Sequence, residues 1–178
     1  MKKHTAVAAL IFLLTLSLSA QQQDKSKRPS PPGTAEVTFA DGKKVTIEYS
    51  RPSAKGRKIV GGLVPYDQVW RTGANEATSL KTDTDLEIGG TTVPAGSYTL
   101  FSLPGQSSWK LIINKQTGQW GTNYDQSQDL ARVNMVVSAL PQSVEQFTIG
   151  LDKAGSDSAN LNLDWEKTRA SVDVKEKK

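Results

Sequence analysis

Apolar and polar residues alternate along most of the chain that follows residue 35. Residues 36–39 and 43–49 both show this pattern, and Asp41 and Gly42 stand between them. Alternation with a period of two places the apolar side chains on one face of a β-strand. Asp-Gly between two such runs is typical of a hairpin turn. The pattern therefore predicts two antiparallel strands at the start of a domain.

The same alternation recurs to the end of the chain, with a glycine- or proline-containing turn after many of the runs. The later runs lie at residues 86–88, 91–93, 97–103, 109–113, 133–137, 147–151, 161–165 and 172–174. No window shows a sustained helical period, and the one short helical candidate, residues 125–130, lacks an apolar stripe. Many short strands at this spacing predict an antiparallel sandwich or barrel. We expect an all-β fold, a jelly-roll-like antiparallel β-sandwich, formed as one domain by residues 35–174.

The two ends of the chain have a different composition. Lys2 and Lys3 precede an apolar run at residues 6–14, and a small, polar stretch follows. This order is typical of a secretory signal peptide, which we place at residues 1–20. Residues 21–34 are rich in proline and polar residues and predict a flexible tether, and residues 175–178 predict a charged tail. We therefore expect a periplasmic or secreted protein with no membrane-spanning segment once the signal is removed.

The missing side chains exclude several kinds of chemistry. The chain has no cysteine, and its one histidine, His4, lies in the predicted signal peptide. A serine protease triad, a cysteine nucleophile and a zinc site built from His or Cys are therefore excluded for the mature chain. We expect no metal and no cofactor. Proton transfer in the mature chain would have to use Asp, Glu, Lys or Tyr.

Charge gives no reason to expect a nucleic-acid partner. Without Lys2 and Lys3, 20 of the 22 basic residues remain against 18 acidic ones. Binding to nucleic acid normally needs a strong basic excess on one face. The mature chain, which is nearly neutral, does not predict one.

Residues 49–78 interrupt the strand pattern. This stretch is long and glycine-rich, and it carries five basic residues against two acidic ones. Long irregular connections in a compact β domain are often functional. Arginines could hold an anion through paired hydrogen bonds while an aromatic ring stacks on the ligand. We therefore predict a site for an anionic or carbohydrate small molecule at Arg51, Lys55, Arg57, Trp70, Arg71, Asn75 and Glu76.

Three interpretations of this region remain open. The favoured one is a non-enzymatic ligand-binding or interaction module. In the second, a glycan or ester hydrolase, Glu76 is a weak catalytic candidate, because such chemistry needs a second carboxylate across a cleft. In the third, a structural protein of the cell envelope, Arg71 and Glu76 pair with each other or with the backbone and brace the loop. Trp120 and Tyr124 are further candidates, as exposed stacking platforms or as aromatic plugs.

Three ordered segments carry a family resemblance. They are YSRPSAKGRKIVGGLVPYDQVWRTGANEAT, VPAGSYTLFSLPG and WKLIINKQTGQWG. Together they resemble a family of exported bacterial domains known as domain of unknown function family 2911, over about residues 37–151. The resemblance implies an exported single-domain protein and assigns no activity.

Overall fold

The computed structural model describes residues 24–178, and the predicted signal peptide at residues 1–20 lies outside the described residues. The strands are β1 (Pro32–Thr38), β2 (Lys44–Ser50), β3 (Thr78–Thr82), β4 (Leu86–Ile88), β5 (Thr91–Val93), β6 (Gly96–Pro104), β7 (Trp109–Asn114), β8 (Asp129–Lys153) and β9 (Ser158–Glu176). Two short 3₁₀ helices, Lys25–Lys27 and Gln126–Gln128, complete the regular structure of the described residues. The predicted all-β fold is confirmed.

All neighbouring strands are antiparallel and form one nine-stranded sheet in the order β1-β2-β3-β6-β7-β8-β9-β4-β5. Most neighbours are also consecutive in sequence, because short turns can join antiparallel strands directly. The β4-β5 hairpin is the exception, since it leaves the sequence order to pair with β9. No helix among residues 24–178 is long and apolar enough to cross a bilayer.

The sheet folds back on itself through the long hairpin of β8 and β9. The pairing register of these strands shifts between Ala139 and Val144 and again before Thr148. At the second of these irregularities β8 lies against the end of β2, where the rings of Tyr49 and Phe147 are 5.8 Å apart. Bulges bend a strand, so they account for the change of direction. The apolar faces enclose a single buried core, as expected of a sandwich-like fold.

The two ends of the domain differ from the predicted boundaries. Residues 21–34 were predicted to be a tether, but Lys25–Lys27 form a 3₁₀ helix and β1 begins at Pro32. The backbone N–H of Arg51 donates to the carbonyl of Pro31 at 2.8 Å, which joins this segment to the domain. At the other end β9 continues to Glu176, within the predicted tail. Polar residues without apolar alternation still extend strands when the neighbouring backbone is available for pairing.

The irregular connection between β2 and β3 is confirmed and spans residues 51–77. Isolated bridges hold it in place, among them Ser53 to Gln146 and Trp70 to Ser102. The second bridge lies beside the last part of β6, where β3 has not yet begun. The connection therefore replaces β3 as the neighbour of β6 and brings its side chains to one end of the sheet.

Candidate functional site

The seven predicted ligand-binding residues do not form one surface. The structure separates them into residues that hold the connection to the sheet, residues that line a cleft, and residues that pair with the N-terminal segment.

Arg51 holds the connection to the sheet. Its Nη2 donates to Thr148 Oγ1 at 2.9 Å and its Nε to the carbonyl of Phe147 at 3.3 Å. The side chain crosses Gly33, where an added Cβ would lie only 2.6 Å from Arg51 Cδ. These contacts tie the end of β2 to the far half of β8.

Lys55 and Arg57 belong to a turn that hydrogen bonds hold to the domain. The backbone N–H of Lys55 donates to Glu145 Oε1 at 2.8 Å. Arg57 donates from Nη2 to the carbonyl of Ser53 at 2.7 Å and from Nε to that of Ala54 at 2.9 Å. Carbonyl acceptors occupy two of the guanidinium nitrogens of Arg57, so it shapes its own turn.

Trp70 belongs to the core and to the cleft. Its ring stacks against Trp165, with centroids 5.7 Å apart and planes 20° apart, and meets Phe147 edge-on at 4.9 Å. Backbone hydrogen bonds in both directions between Trp70 and Ser102 fix its position beside β6. Aromatic pairs at such distances add to the stabilisation from burial. The ring of Trp70 is therefore held in a fixed position.

Arg71 has a different environment from Arg51 and Arg57. Its Nε donates to the carbonyl of Gly73 at 3.2 Å, and its stem lies over Gly121. Within residues 24–178 Arg71 takes part in no salt bridge. The predicted pair between Arg71 and Glu76 does not form. The backbone contact to Gly73 agrees with the bracing interpretation.

Arg71 lines a cleft of about 330 Å³ at this end of the sheet. Four aromatic side chains contribute to its lining, and Leu63, also in the lining, has 48% of its surface exposed. The residues that matter most for its chemistry are Trp70, Arg71, Phe101, Gly121, Tyr124 and Trp165. This is the concave, mostly apolar surface with one charged group that small-molecule sites commonly show.

The cleft exists because β6 is buried on both faces. Leu100 points into the core, so Phe101 points the opposite way. The connection between β7 and β8 covers that outer face: Tyr124 meets Phe101 edge-on at 4.8 Å, and Thr99 Oγ1 donates to the carbonyl of Gln116 at 2.7 Å. The same connection supplies the second wall of the cleft.

A polar network holds Tyr124. Its hydroxyl donates to Asp129 Oδ2 at 2.6 Å and accepts from Arg132 Nη2 at 2.6 Å. Arg132 Nε also donates to the same carboxylate oxygen at 2.8 Å. Burial, and then the hydrogen bond to Asp129, raise the pKa of Tyr124 to about 12. The hydroxyl is neutral and already paired, so Tyr124 offers the cleft its ring.

Asn75 faces away from the predicted ligand surface. Its Nδ2 donates to the carbonyl of Ser30 at 3.1 Å and to Ser50 Oγ at 3.2 Å. Its backbone has a φ of 59°, a left-handed conformation that asparagine tolerates better than most residues. Its own carbonyl accepts from the N–H of Gly121 at 2.9 Å. Asn75 is thus a structural residue of the turn.

Glu76 pairs with the N-terminal segment. Arg28 Nη1 lies 2.9 Å from both carboxylate oxygens, and Lys25 Nζ lies 3.3 Å from Oε1. The hydrogen bond from Arg28 is the main reason that the pKa of Glu76 falls to about 2. A carboxylate with this pKa is a poor general base near neutral pH. The geometry gives no support to the catalytic candidate.

Sequence reasoning missed the partners that decide these roles. Arg28 lies 48 residues before Glu76 in a polar segment without periodicity. Asp129 and Arg132 follow Tyr124 by five and eight residues, a spacing that is common and carries no signal alone. Tyr124 itself was proposed as a stacking platform or a plug, and its ring does line the cleft.

The described residues contain no cluster of three or more His, Cys, Asp or Glu that could hold a metal ion. In a comparison with protein families, the model of a family described as "Protein of unknown function (DUF2911)" matches residues 30–174. The comparison with curated proteins and the comparison with solved structures each gave no match.

Proposed function

The chain belongs to the DUF2911 family, and we propose that it is a binding module whose aromatic cleft takes a small, ring-bearing anion. The observation that carries this proposal is Arg71, a guanidinium without a carboxylate partner among residues 24–178, on the wall of a cleft lined by aromatic rings. The proposed site keeps Trp70 and Arg71 from the seven predicted residues. Tyr124 and Trp165 take the place of the other five.

The ligand class follows from the two kinds of group that line the cleft, a guanidinium and aromatic rings. A guanidinium binds carboxylate, sulfate or phosphate through paired hydrogen bonds, and its Nη atoms are the donors that Gly73 leaves available. Indole and phenol rings stack on planar rings and on the apolar faces of sugars. A volume of about 330 Å³ lies at the lower end of the range for ligand sites. The best candidates are single-ring carboxylates, either uronic acids or aromatic acids.

Binding is better supported than hydrolysis. Glycoside hydrolysis uses two carboxyl groups that face each other across the substrate. The residues lining the cleft include no Asp or Glu. Glu76 is paired with Arg28, and Asp129 with Tyr124 and Arg132. The hydrolase alternative has no pair of carboxylates at this cleft to use.

The structural alternative keeps one specific observation in its favour. Arg51, Asn75 and Glu76 all bind other parts of the domain, as braces would. Bracing and binding are compatible, because a rigid scaffold lowers the entropic cost of holding a ligand. The two differ only in what Arg71 does.

The test is isothermal titration of the purified protein with glucuronate and benzoate, and with glucose and benzyl alcohol as uncharged counterparts. Hydrogen bonds to charged groups are worth about 1.5–3 kcal/mol each, so Arg71→Gln should weaken binding of the acid by about tenfold or more. Arg57→Gln is the matched control, since that arginine lies in the same connection and bonds its own turn. Equal binding of acids and neutral analogues, or no effect of Arg71→Gln, would contradict the proposal.

We further infer that the module works outside the cytoplasm, in the periplasm or beyond it. The signal-peptide pattern of residues 1–20 supports this location. Cell fractionation with N-terminal mass spectrometry checks it. A full-length protein recovered from the cytoplasm with Met1 still attached would contradict the inference.

A further inference from the structure

We propose that residues 24–31, here called the strap, set the affinity of the cleft for its ligand. The strap does so by fixing the position of the second wall, residues 119–124, through contacts outside the cleft. Arg28 is the positioning residue, because its guanidinium binds Glu76, which is not among the residues that line the cleft. The proposal rests on the proposed function, since it concerns the same cleft, but its structural part can be tested without a ligand.

The first step is the grip of the strap on the turn before β3. Arg28 is three-quarters buried, with 24% of its side chain exposed, and its Nη1 contacts both oxygens of Glu76. Lys25 adds a second cation at 3.3 Å. The carbonyl of Ser30 accepts from Asn75 Nδ2 at 3.1 Å. Two consecutive residues of the turn are thus held by the strap.

The second step is the pairing of this turn with the second wall. The N–H of Gly121 donates to the carbonyl of Asn75 at 2.9 Å, and the N–H of Ala77 donates to the carbonyl of Gln119 at 3.1 Å. These bonds make a short antiparallel bridge between Glu76 and Trp120. Directly opposite residues in such a bridge lie on the same side. Trp120 therefore lies beside the ion pair, and the wall begins at the next residue.

The third step leads from the bridge into the cleft. Gly121 and Thr122 line the cleft, and Tyr124 follows them along the chain. The stem of Arg71 packs on Gly121, where an added Cβ would lie 2.9 Å from Arg71 Cδ. A shift of the bridge therefore moves the wall and the guanidinium together. Ordering a wall before the ligand arrives increases affinity, since the ligand no longer has to order it.

The family match separates the cations that bind Glu76 from the residues that build the cleft. The match begins at residue 30, so Lys25 and Arg28 lie before it, whereas Glu76, Gly121 and Tyr124 lie within it. The cleft is built by the matched domain, and the two cations of the strap that bind Glu76 come from residues before the match. Changes in the strap would then adjust affinity without changing any residue that touches the ligand.

The test combines hydrogen exchange with titration of glucuronate and benzoate, on the wild type and Arg28→Gln. We expect amide exchange in residues 119–124 and the Kd for the acid each to rise about twofold to fivefold, the range that a partly exposed, solvent-screened ion pair allows. The charge swap Arg28→Glu with Glu76→Arg should restore both values in part. Lys44→Gln is the matched control, because it breaks the exposed pair with Glu36, at 3.2 Å on strands away from the cleft.

The outcomes separate the two proposals. Faster exchange confined to residues 24–31, with residues 119–124 unchanged, would overturn the strap proposal even if the wild type binds acids. If the wild type binds neither probe but Arg28→Gln speeds exchange in residues 119–124, the hold of the strap on the wall is supported and the proposed function fails. A lower affinity in Arg28→Gln that the charge swap restores supports both.

Discussion

Arg71 and Glu76 lie five residues apart in one turn, yet they have opposite environments. Glu76 is an anion with two cationic partners at 2.9 and 3.3 Å, while Arg71 has a single backbone acceptor at 3.2 Å among the described residues. The charge of Glu76 is therefore neutralised by partners within the protein, whereas the guanidinium of Arg71 still has N–H donors that could bind another molecule. In this turn the partner of a charged residue, rather than its presence in a loop, decides whether it is a candidate for binding.

The two sides also differ in their aromatic residues. Trp70, on the Arg71 side, is locked between Trp165 and Phe147. Trp120, on the Glu76 side, is 48% exposed. The cleft side is continuous with the core, whereas the strap side is a surface cluster. The two sides should respond differently to substitution.

The largest difference is expected between Trp70→Ala and Trp120→Ala. Removing a large packed aromatic costs about 3–5 kcal/mol, and Trp70, which is partly exposed, should lie near the lower end of that range. Trp120→Ala should cost less than about 1 kcal/mol, as most surface substitutions do. Urea unfolding followed by circular dichroism measures both. Equal losses would show that the cleft side is no more a part of the core than the strap side.

A smaller effect is expected at Gly121, where the two sides meet. An added Cβ would lie 2.8 Å from the carbonyl oxygen of Asn75 and 2.9 Å from Arg71 Cδ. Overpacking of this kind typically costs about 1–3 kcal/mol, so Gly121→Ala should lower the free energy of unfolding by about that much. It should also weaken binding of glucuronate and benzoate, because both neighbours must move.

Gly150→Ala is the matched control for this substitution. Its added Cβ would meet Asp152 at 3.5 Å, an ordinary contact distance. A change of less than about 0.5 kcal/mol is expected there, either positive or negative. A Gly121→Ala protein as stable as Gly150→Ala would show that the bridge yields easily and does not link the two sides.

These comparisons also show what the amino-acid pattern can predict. Alternation in residues 43–49 predicts β2 well, because a buried face repeats every two residues. The runs at residues 133–137 and 147–151 are parts of one long strand, β8, and the irregular region between them has no regular apolar alternation to join them. The loss of alternation in residues 51–77 indicates the irregular connection that supplies Trp70 and Arg71 to the cleft.

Partners distant in sequence explain what the pattern misses. Nothing around Arg28 indicates that its guanidinium belongs with Glu76, because ion pairs leave no periodic trace in a sequence. The position of Tyr124 follows from Phe101, which faces outward on a strand that is covered on both sides. Predicting that cover would require knowing where residues 115–128 fold. The cleft is therefore a product of tertiary structure, although Trp70 and Arg71 could be selected in advance.

The smallest expected effect is the pH dependence of the Glu76 side. The pKa of Glu76 is about 2 in the folded protein and 4.5 ordinarily, so folding favours its charged form. Stability from this group is complete above the ordinary pKa and is lost as the pH falls from 4.5 towards 2. Because 42% of the side chain is exposed, solvent screening reduces the contribution to about 0.5–1 kcal/mol.

Glu76→Gln should therefore be less stable than the wild type by about 0.5–1 kcal/mol at pH 7, and the difference should shrink below pH 4.5. Urea unfolding of both proteins from pH 7 to pH 2.5 measures it, and subtracting the two curves removes the contribution of the other carboxylates. Arg71→Gln is the matched comparison, because Arg71 has no carboxylate partner within residues 24–178 and its loss should give a difference that stays constant over this range. A constant difference for Glu76→Gln as well would mean that its carboxylate gains nothing from Arg28 and Lys25. Glu76 would then no longer differ from Arg71 in having its charge stabilised by partners within the fold.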